Sequence, residues 1–232
     1  MKYIGHLDIM RYFQKAIRRS GLPIKYSEGF NPHQIMSFAA PLGVGITSDG
    51  EYMDIELKEF VPSKEAQERL QDTMVEGMKI ASFRYLPDNA QNAMSSVTAA
   101  SYLLSYKHPD EFPYTITELQ ASKKAFFDDA GIIPIIKKTK KGERELDLKP
   151  LIYDFNISEV CNSCGDSSIL FSLVVSTGST DNIKPELVLE HFFKHLGKED
   201  LGRYDFFIHR KDMLTGEVGQ FVSLGEIGND KE

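Results

Sequence analysis

His6, Asp8, Asn31 and His33 are the residues whose types and spacing suit proton transfer. A neutral imidazole accepts a proton near pH 7, and a neighbouring Asp or Asn fixes its tautomer, which is the minimum for acid-base work. The first pair stands at the start of a helix and the second on a turn beyond the next extended segment, points that one fold can bring together. The same four residues also have a purely architectural use. His6 and Asn31 then cap backbone groups and stiffen the turn, while Asp8 sits favourably at a helix N-terminus.

A second constellation is cationic. Arg11, Lys15, Arg18 and Arg19 share one face of a helical pattern and, with Lys25, form a stripe suited to a phosphodiester backbone. Tyr26 and Phe30 offer rings on which exposed bases stack; a solvated helix face accounts for the charges equally well. A third lies at Gly178, Ser179, Asn182 and Lys184, a loop leading into a helix whose amides and N-terminus favour an anion. It lacks the Gly-x-x-x-x-Gly-Lys-Ser/Thr spacing of a nucleoside triphosphate loop, and a structural loop is the competing reading. Lys137, Lys138, Lys140, Lys141 and Arg144 cluster at a hairpin tip, where they either guide an acidic partner or simply solvate a turn.

These residues need elements to position them. Ile9, Met10, Phe13 and Ile17 recur at helical spacing and predict a helix from His6 to Ser20 that Gly21 stops. Extended runs follow at Ile35 to Ala40 and Tyr52 to Leu57, then a helix from Ser63 with Ala66, Leu70, Met74 and Met78 on one stripe, then a strand at Ile80 to Leu86. Polar residues 87–96 read as a linker. A second cycle begins with a strand at Ala99 to Tyr106 and a helix opened by a Thr-x-x-Gln capping box at Thr117 and closed by Gly131. A hairpin (Ile132 to Lys138, Glu143 to Leu148), a strand at Ile169 to Ser176, a helix at Pro185 to Leu196 and a strand at Tyr204 to Arg210 complete it. The expected class is α+β: two tandem ferredoxin-like β-α-β-β-α-β units, 1–90 and 97–225, the first lacking its N-terminal strand.

The 232 residues are 41% hydrophobic and 26% charged, the balance of a globular protein. Apolar runs such as Ile169 to Val175 fall far short of the about 20 residues that cross a bilayer, and no signal peptide opens the chain, so a cytoplasmic protein without membrane contact is expected. Cys161 and Cys164 alone cannot build a disulfide framework or a four-ligand zinc site, and reduced thiols with no metal are expected. The net charge of -7 is uneven: residues 1–36 carry six Lys/Arg against Asp8 and Glu28, or +4, which leaves -11 on the remainder.

The runs Tyr3 to Arg11, Tyr26-Ser27-Glu28-Gly29-Phe30-Asn31-Pro32-His33, Ser37-Phe38-Ala39, Glu51 to Leu57 and Gly178-Ser179 through Asn182-Ile183-Lys184-Pro185-Glu186 together resemble the radical-SAM-linked family, a bacterial domain of unknown function. Members are fused to, or encoded beside, cobalamin-binding-type radical S-adenosylmethionine proteins, so the resemblance implies such a protein as partner. It also implies a strand before Tyr3, and Gly5 stands where members carry a serine that would cap the first helix. Cys161-x-x-Cys164 is not the Cys-x-x-x-Cys-x-x-Cys that anchors a radical-SAM cluster; no cofactor is expected and the chain is not read as an enzyme of that chemistry.

Three functions are consistent with these residues. The first is an accessory module that presents a substrate, RNA or a ribosome-associated target, to a radical-SAM enzyme. The second is a stand-alone RNA-binding or RNA-processing protein using His6 or His33 as base. The third is a protein-protein adaptor without RNA affinity, using the apolar segment Ser37 to Leu42 or the lysine hairpin.

Overall fold

The computed structural model describes residues 3–139, 142–161, 167–178, 181–198 and 200–232. In chain order the elements are α1 (His6–Ser20), β1 (Met36–Phe38), β2 (Thr47–Ser48), β3 (Met53–Ile55), α2 (Ser63–Gln71), α3 (Ala93–Ser96), β4 (Ala99–Tyr106), α4 (Ile116–Lys123), β5 (Pro134–Thr139), β6 (Gly142–Asp147), β7 (Ile152–Cys161), β8 (Ser167–Ser176), α5 (Pro185–His195), β9 (Phe206–Thr215) and β10 (Val222–Ser223). The protein is α+β. Among the described residues no helix is long and apolar enough to cross a membrane.

Two compact units make up the chain, Met1–Val97 with Met213–Glu232, and Thr98–Asp212. In the first, β1 and β3 pair antiparallel with Ser37 opposite Asp54. Isolated bridges Ile24↔Leu57 and Tyr26↔Gln34 extend that pairing. Ala16 and Ile17 of α1 pack with Leu22, Ile24, Val61, Ala66 and Leu70 into one apolar cluster.

The second unit is built on strands in the order β9-β4-β8-β7, with β4–β8 and β7–β8 antiparallel. Phe192 and Phe193 of α5 meet Phe171 of β8 at 6.4 and 5.8 Å, and Phe192 meets Phe155 of β7 at 5.2 Å; all four rings are essentially inaccessible. β5 and β6 form a separate hairpin with Lys137 opposite Arg144.

Several expectations are corrected. The helix α2, expected to carry Met74 and Met78, ends at Gln71. Residues 80–86 form no strand: Gln67 Nε2 donates to the carbonyls of Ile80 and Ala81, each at 2.9 Å, so a side chain takes the place of a neighbouring strand, and only Tyr85 bridges Asn229. The capping box belongs to Thr115 and Glu118, not Thr117 and Gln120. β7, absent from the sequence reading, is ten residues long.

Candidate functional site

α1 owes its orientation to its apolar stripe. Ala16 and Ile17 are wholly buried, and the Tyr12 hydroxyl donates to the Thr73 carbonyl (3.4 Å) and accepts the Val75 N–H (2.9 Å). Gly21, at φ 69°, ends the helix in the left-handed conformation that glycine adopts freely. The opposite face is thereby turned to solvent. Arg11, Lys15 and Arg18 occupy positions i, i+4 and i+7 of that face, a cationic line about 10 Å long, and all three are exposed.

Their engagements differ. Arg11 Nη1 lies 3.3 Å from Asp8 Oδ1, an ion pair so exposed that it adds little to stability and yields readily to a ligand. Lys15 and Arg18 have no ion-pair or hydrogen-bond partner among the described residues. Arg19 donates to the Thr73 carbonyl at 3.1 Å. Lys25 is bound to Glu56, whose hydrogen bond and charge hold the ammonium above its ordinary pKa. The line open to a ligand is therefore Arg11, Lys15 and Arg18.

The chain then folds into a closed loop. Ser27 N–H donates to the His33 carbonyl at 2.8 Å, and the His33 N–H donates to Ser27 Oγ at 3.1 Å. Gly29, at φ 112°, lets the loop turn where a side chain would be strained. Phe30 is carried at its tip with a relative exposure of 112%, a ring that contributes nothing to the core.

His33 Nδ1 stands 2.8 Å from the same Ser27 hydroxyl. That hydroxyl already accepts the His33 N–H and has its proton left to give. Its second lone pair can equally accept from Nδ1, so the direction of this bond follows the tautomer; with the neutral ring protonated on the exposed Nε2, the hydroxyl donates to Nδ1. His33 in this state presents a hydrogen-bond donor to solvent.

The four residues suited to proton transfer make separate contacts. His6 packs edge-on against Phe38, centroids 5.5 Å apart, and Asp8 pairs with Arg11. The one contact among the four is a long 3.5 Å approach of His33 Nδ1 to the Asn31 carbonyl. The extended chain from His33 to Phe38 covers about 16 Å, so His6 and His33 stand toward opposite ends of one segment. Ser27 and Phe38, which set the surroundings of the two imidazoles, enter the sequence reading only as parts of longer runs and not as site residues, because only loop closure and helix docking bring them into contact.

At the other candidate loop, Gly178 is half-buried, Asn182 and Lys184 are exposed, and Ser179 lies outside the described residues. Lys184 is the N-cap of α5 without a side-chain cap bond. The positive end of α5 already faces a carboxylate of its own: Glu186 in the first turn is buried, with Oε1 3.6 Å from Arg203 Nη1. Cys161 ends β7 exposed, whereas Cys164, Lys140 and Lys141 lie outside the described residues. Among the described residues no three His, Cys, Asp or Glu side chains group as metal ligands would.

A family model described as an uncharacterized protein conserved in bacteria (DUF2344) matches residues 1–185. No curated protein matches the chain.

Proposed function

The chain belongs to this family of uncharacterised bacterial proteins (DUF2344), and from that premise we propose that it is a module that holds single-stranded RNA and presents it to a separate radical S-adenosylmethionine enzyme. The observation that carries the substrate class is the outward line of Arg11, Lys15 and Arg18 in the same unit as the fully exposed ring of Phe30. Cations that follow a backbone, together with an aromatic platform on which any base can stack, are the two components of sequence-tolerant single-strand binding. The exposed His33, in its Nε2-protonated tautomer, adds a donor suited to phosphate or a base edge.

The enzyme partner rests on the resemblance to the radical-SAM-linked family, and the division of labour follows: this chain supplies binding and orientation, and the other polypeptide the radical chemistry. The fold reading accompanies it. The order β9-β4-β8-β7 with α4 and α5 agrees with a ferredoxin-like unit that carries the β5–β6 hairpin as an insert, and the first unit is read as a partial copy of that plan.

The test has two arms. Photo-crosslinking of a uridine-rich single-stranded RNA to the intact chain, mapped by mass spectrometry, is expected to give adducts at Phe30 or Tyr26. The purified radical-SAM enzyme encoded beside the gene is expected to modify that RNA faster when this chain is added. No crosslink at 50 mM salt refutes the RNA half and favours the adaptor reading, and modification indifferent to the chain refutes the presenting role.

A further inference from the structure

A cavity of about 240 Å³ opens to solvent in the second unit, between the segment that follows β4 and the far ends of β7 and β8. RNA binding by the first unit makes no use of it. Three of its walls are aromatic, Tyr106, Phe112 and Tyr114, and Glu159 of β7 stands among the residues opposite.

The rings are inclined rather than stacked. Tyr106 and Phe112 lie 4.9 Å apart at 45°, and Phe112 and Tyr114 lie 6.0 Å apart at 70°. They are also fixed. Phe112 meets the buried Phe171 and Phe193 at 6.3 and 6.1 Å, and Tyr114 stacks on Phe193 at 6.1 Å. The aromatic surface is thus preorganised by the core beneath it, which lowers the cost of ordering it around a ligand.

Among the described residues that line the cavity, Glu159 is the charged one. Glu159 pairs in register with Ile169, which also lines the cavity, so both project from the same face of the strands. The Glu159 carboxylate has no hydrogen-bond or ion-pair partner among the described residues. Glu118 near the mouth is by contrast committed, accepting from the Thr115 N–H at 2.8 Å and the Thr115 hydroxyl at 2.7 Å. Burial first, and then the charges of Asp200 and Glu118, hold the Tyr114 phenol above its ordinary pKa. Of the two bases beside the cavity in the chain, Lys107 is bound to the Tyr204 carbonyl with its ammonium 5.7 Å from the Phe207 ring, and the His108 ring lies edge-on to Tyr106 at 6.2 Å.

An anion entering this space meets a carboxylate, and a neutral guest leaves that carboxylate unanswered. A cation gains from both the ring faces and the charge. We infer that the cavity is a binding site for an alkylammonium head group, quaternary or methylated, either free or at the end of a lysine side chain. The volume, below the range of drug-sized pockets, admits one such head group and little more.

The probes are choline, its neutral isostere 3,3-dimethylbutan-1-ol, and a short peptide containing trimethyllysine, titrated into the isotopically labelled full chain at fixed ionic strength and pH 8. Choline or the peptide is expected to shift the Tyr106, Phe112 and Tyr114 resonances saturably, with choline binding about tenfold more tightly than the alcohol. Glu159→Gln, on an exposed strand position, is expected to weaken choline about tenfold with an unchanged unfolding midpoint. Peptide binding tighter than choline assigns the head group to a protein, and equal binding assigns it to a free small molecule. Equal affinity for the alcohol, shifts confined to other residues, or full binding by Glu159→Gln each overturns the site.

Discussion

Replacing Phe30 by alanine separates binding from folding. At 112% relative exposure the ring surrenders no apolar surface to water when it is deleted, so the transfer term that makes a core Phe→Ala change cost several kcal/mol is absent. The loop is held instead by the Ser27–His33 backbone bond of 2.8 Å and by Gly29, and neither involves the ring. Stability is therefore expected to change by no more than about 0.5 kcal/mol. Loss of one stacked base costs about 1–3 kcal/mol, which is about 5- to 150-fold in Kd. Fluorescence anisotropy with a labelled single-stranded oligoribonucleotide measures the second quantity, and thermal unfolding of the same preparation measures the first. Phe30→Tyr, which keeps the stacking face, is expected to bind like the wild type. An unchanged Kd for Phe30→Ala removes the platform from the account, and a large fall in Tm shows that the ring was packed after all.

Ile17→Ala is expected to destabilise the first unit by about 2–5 kcal/mol in denaturant unfolding, because Ile17 is fully buried in the cluster that anchors α1; a cost below 1 kcal/mol means that the helix is anchored elsewhere. Nitrogen NMR of His33 is expected to show one neutral tautomer favoured through the Ser27 hydroxyl, and Ser27→Ala to erase that preference; a tautomer ratio unchanged in Ser27→Ala contradicts a role for this hydrogen bond. Burial holds the Asp54 carboxyl above its ordinary value, against the pull of the Ala93 N–H at 2.5 Å. The folded state then binds this proton more readily than the unfolded one. The contribution is present below the ordinary aspartate pKa of about 4 and is lost as pH rises through the raised folded value. Asp54→Asn, which keeps an acceptor for Ala93, is expected to flatten stability over that window, and an identical pH profile refutes it.

What could be read from the sequence was what depends on neighbours along the chain. The apolar stripe from Ile9 to Ile17 and the stop at Gly21 specify α1 completely, and the charged residues of its outer face had only to remain where the stripe left them. β7 escaped notice for a physical reason. Its register shifts between Ile152 and Asp154, so its buried residues Ile152, Phe155 and Ile157 fall out of strict alternation. The stripe assigned to α2 ran on to Met78, yet the helix stops at Gln71. Thr73 Oγ1 turns back to the Leu70 carbonyl at 2.8 Å, and Gln71 Oε1 accepts the Ile80 N–H at 2.7 Å, so side chains close that loop. The pairings of His33 with Ser27, Lys25 with Glu56 and Glu186 with Arg203 all depend on folding. Each changes which charge or proton is on offer, and none has a sequence signature.

The central claim is that the outward face of α1 neutralises RNA phosphates. The direct measurement is the salt dependence of RNA affinity for the wild type and for the Lys15→Ala/Arg18→Ala double variant, both substitutions being at exposed positions. With about 0.7 counterions released per single-strand contact, Arg11, Lys15 and Arg18 predict a slope of log K against log salt near about -2, falling to about -0.7 in the double variant, with affinity at 0.1 M salt about 25-fold lower. Parallel lines for the two proteins, or affinity independent of salt, contradict it.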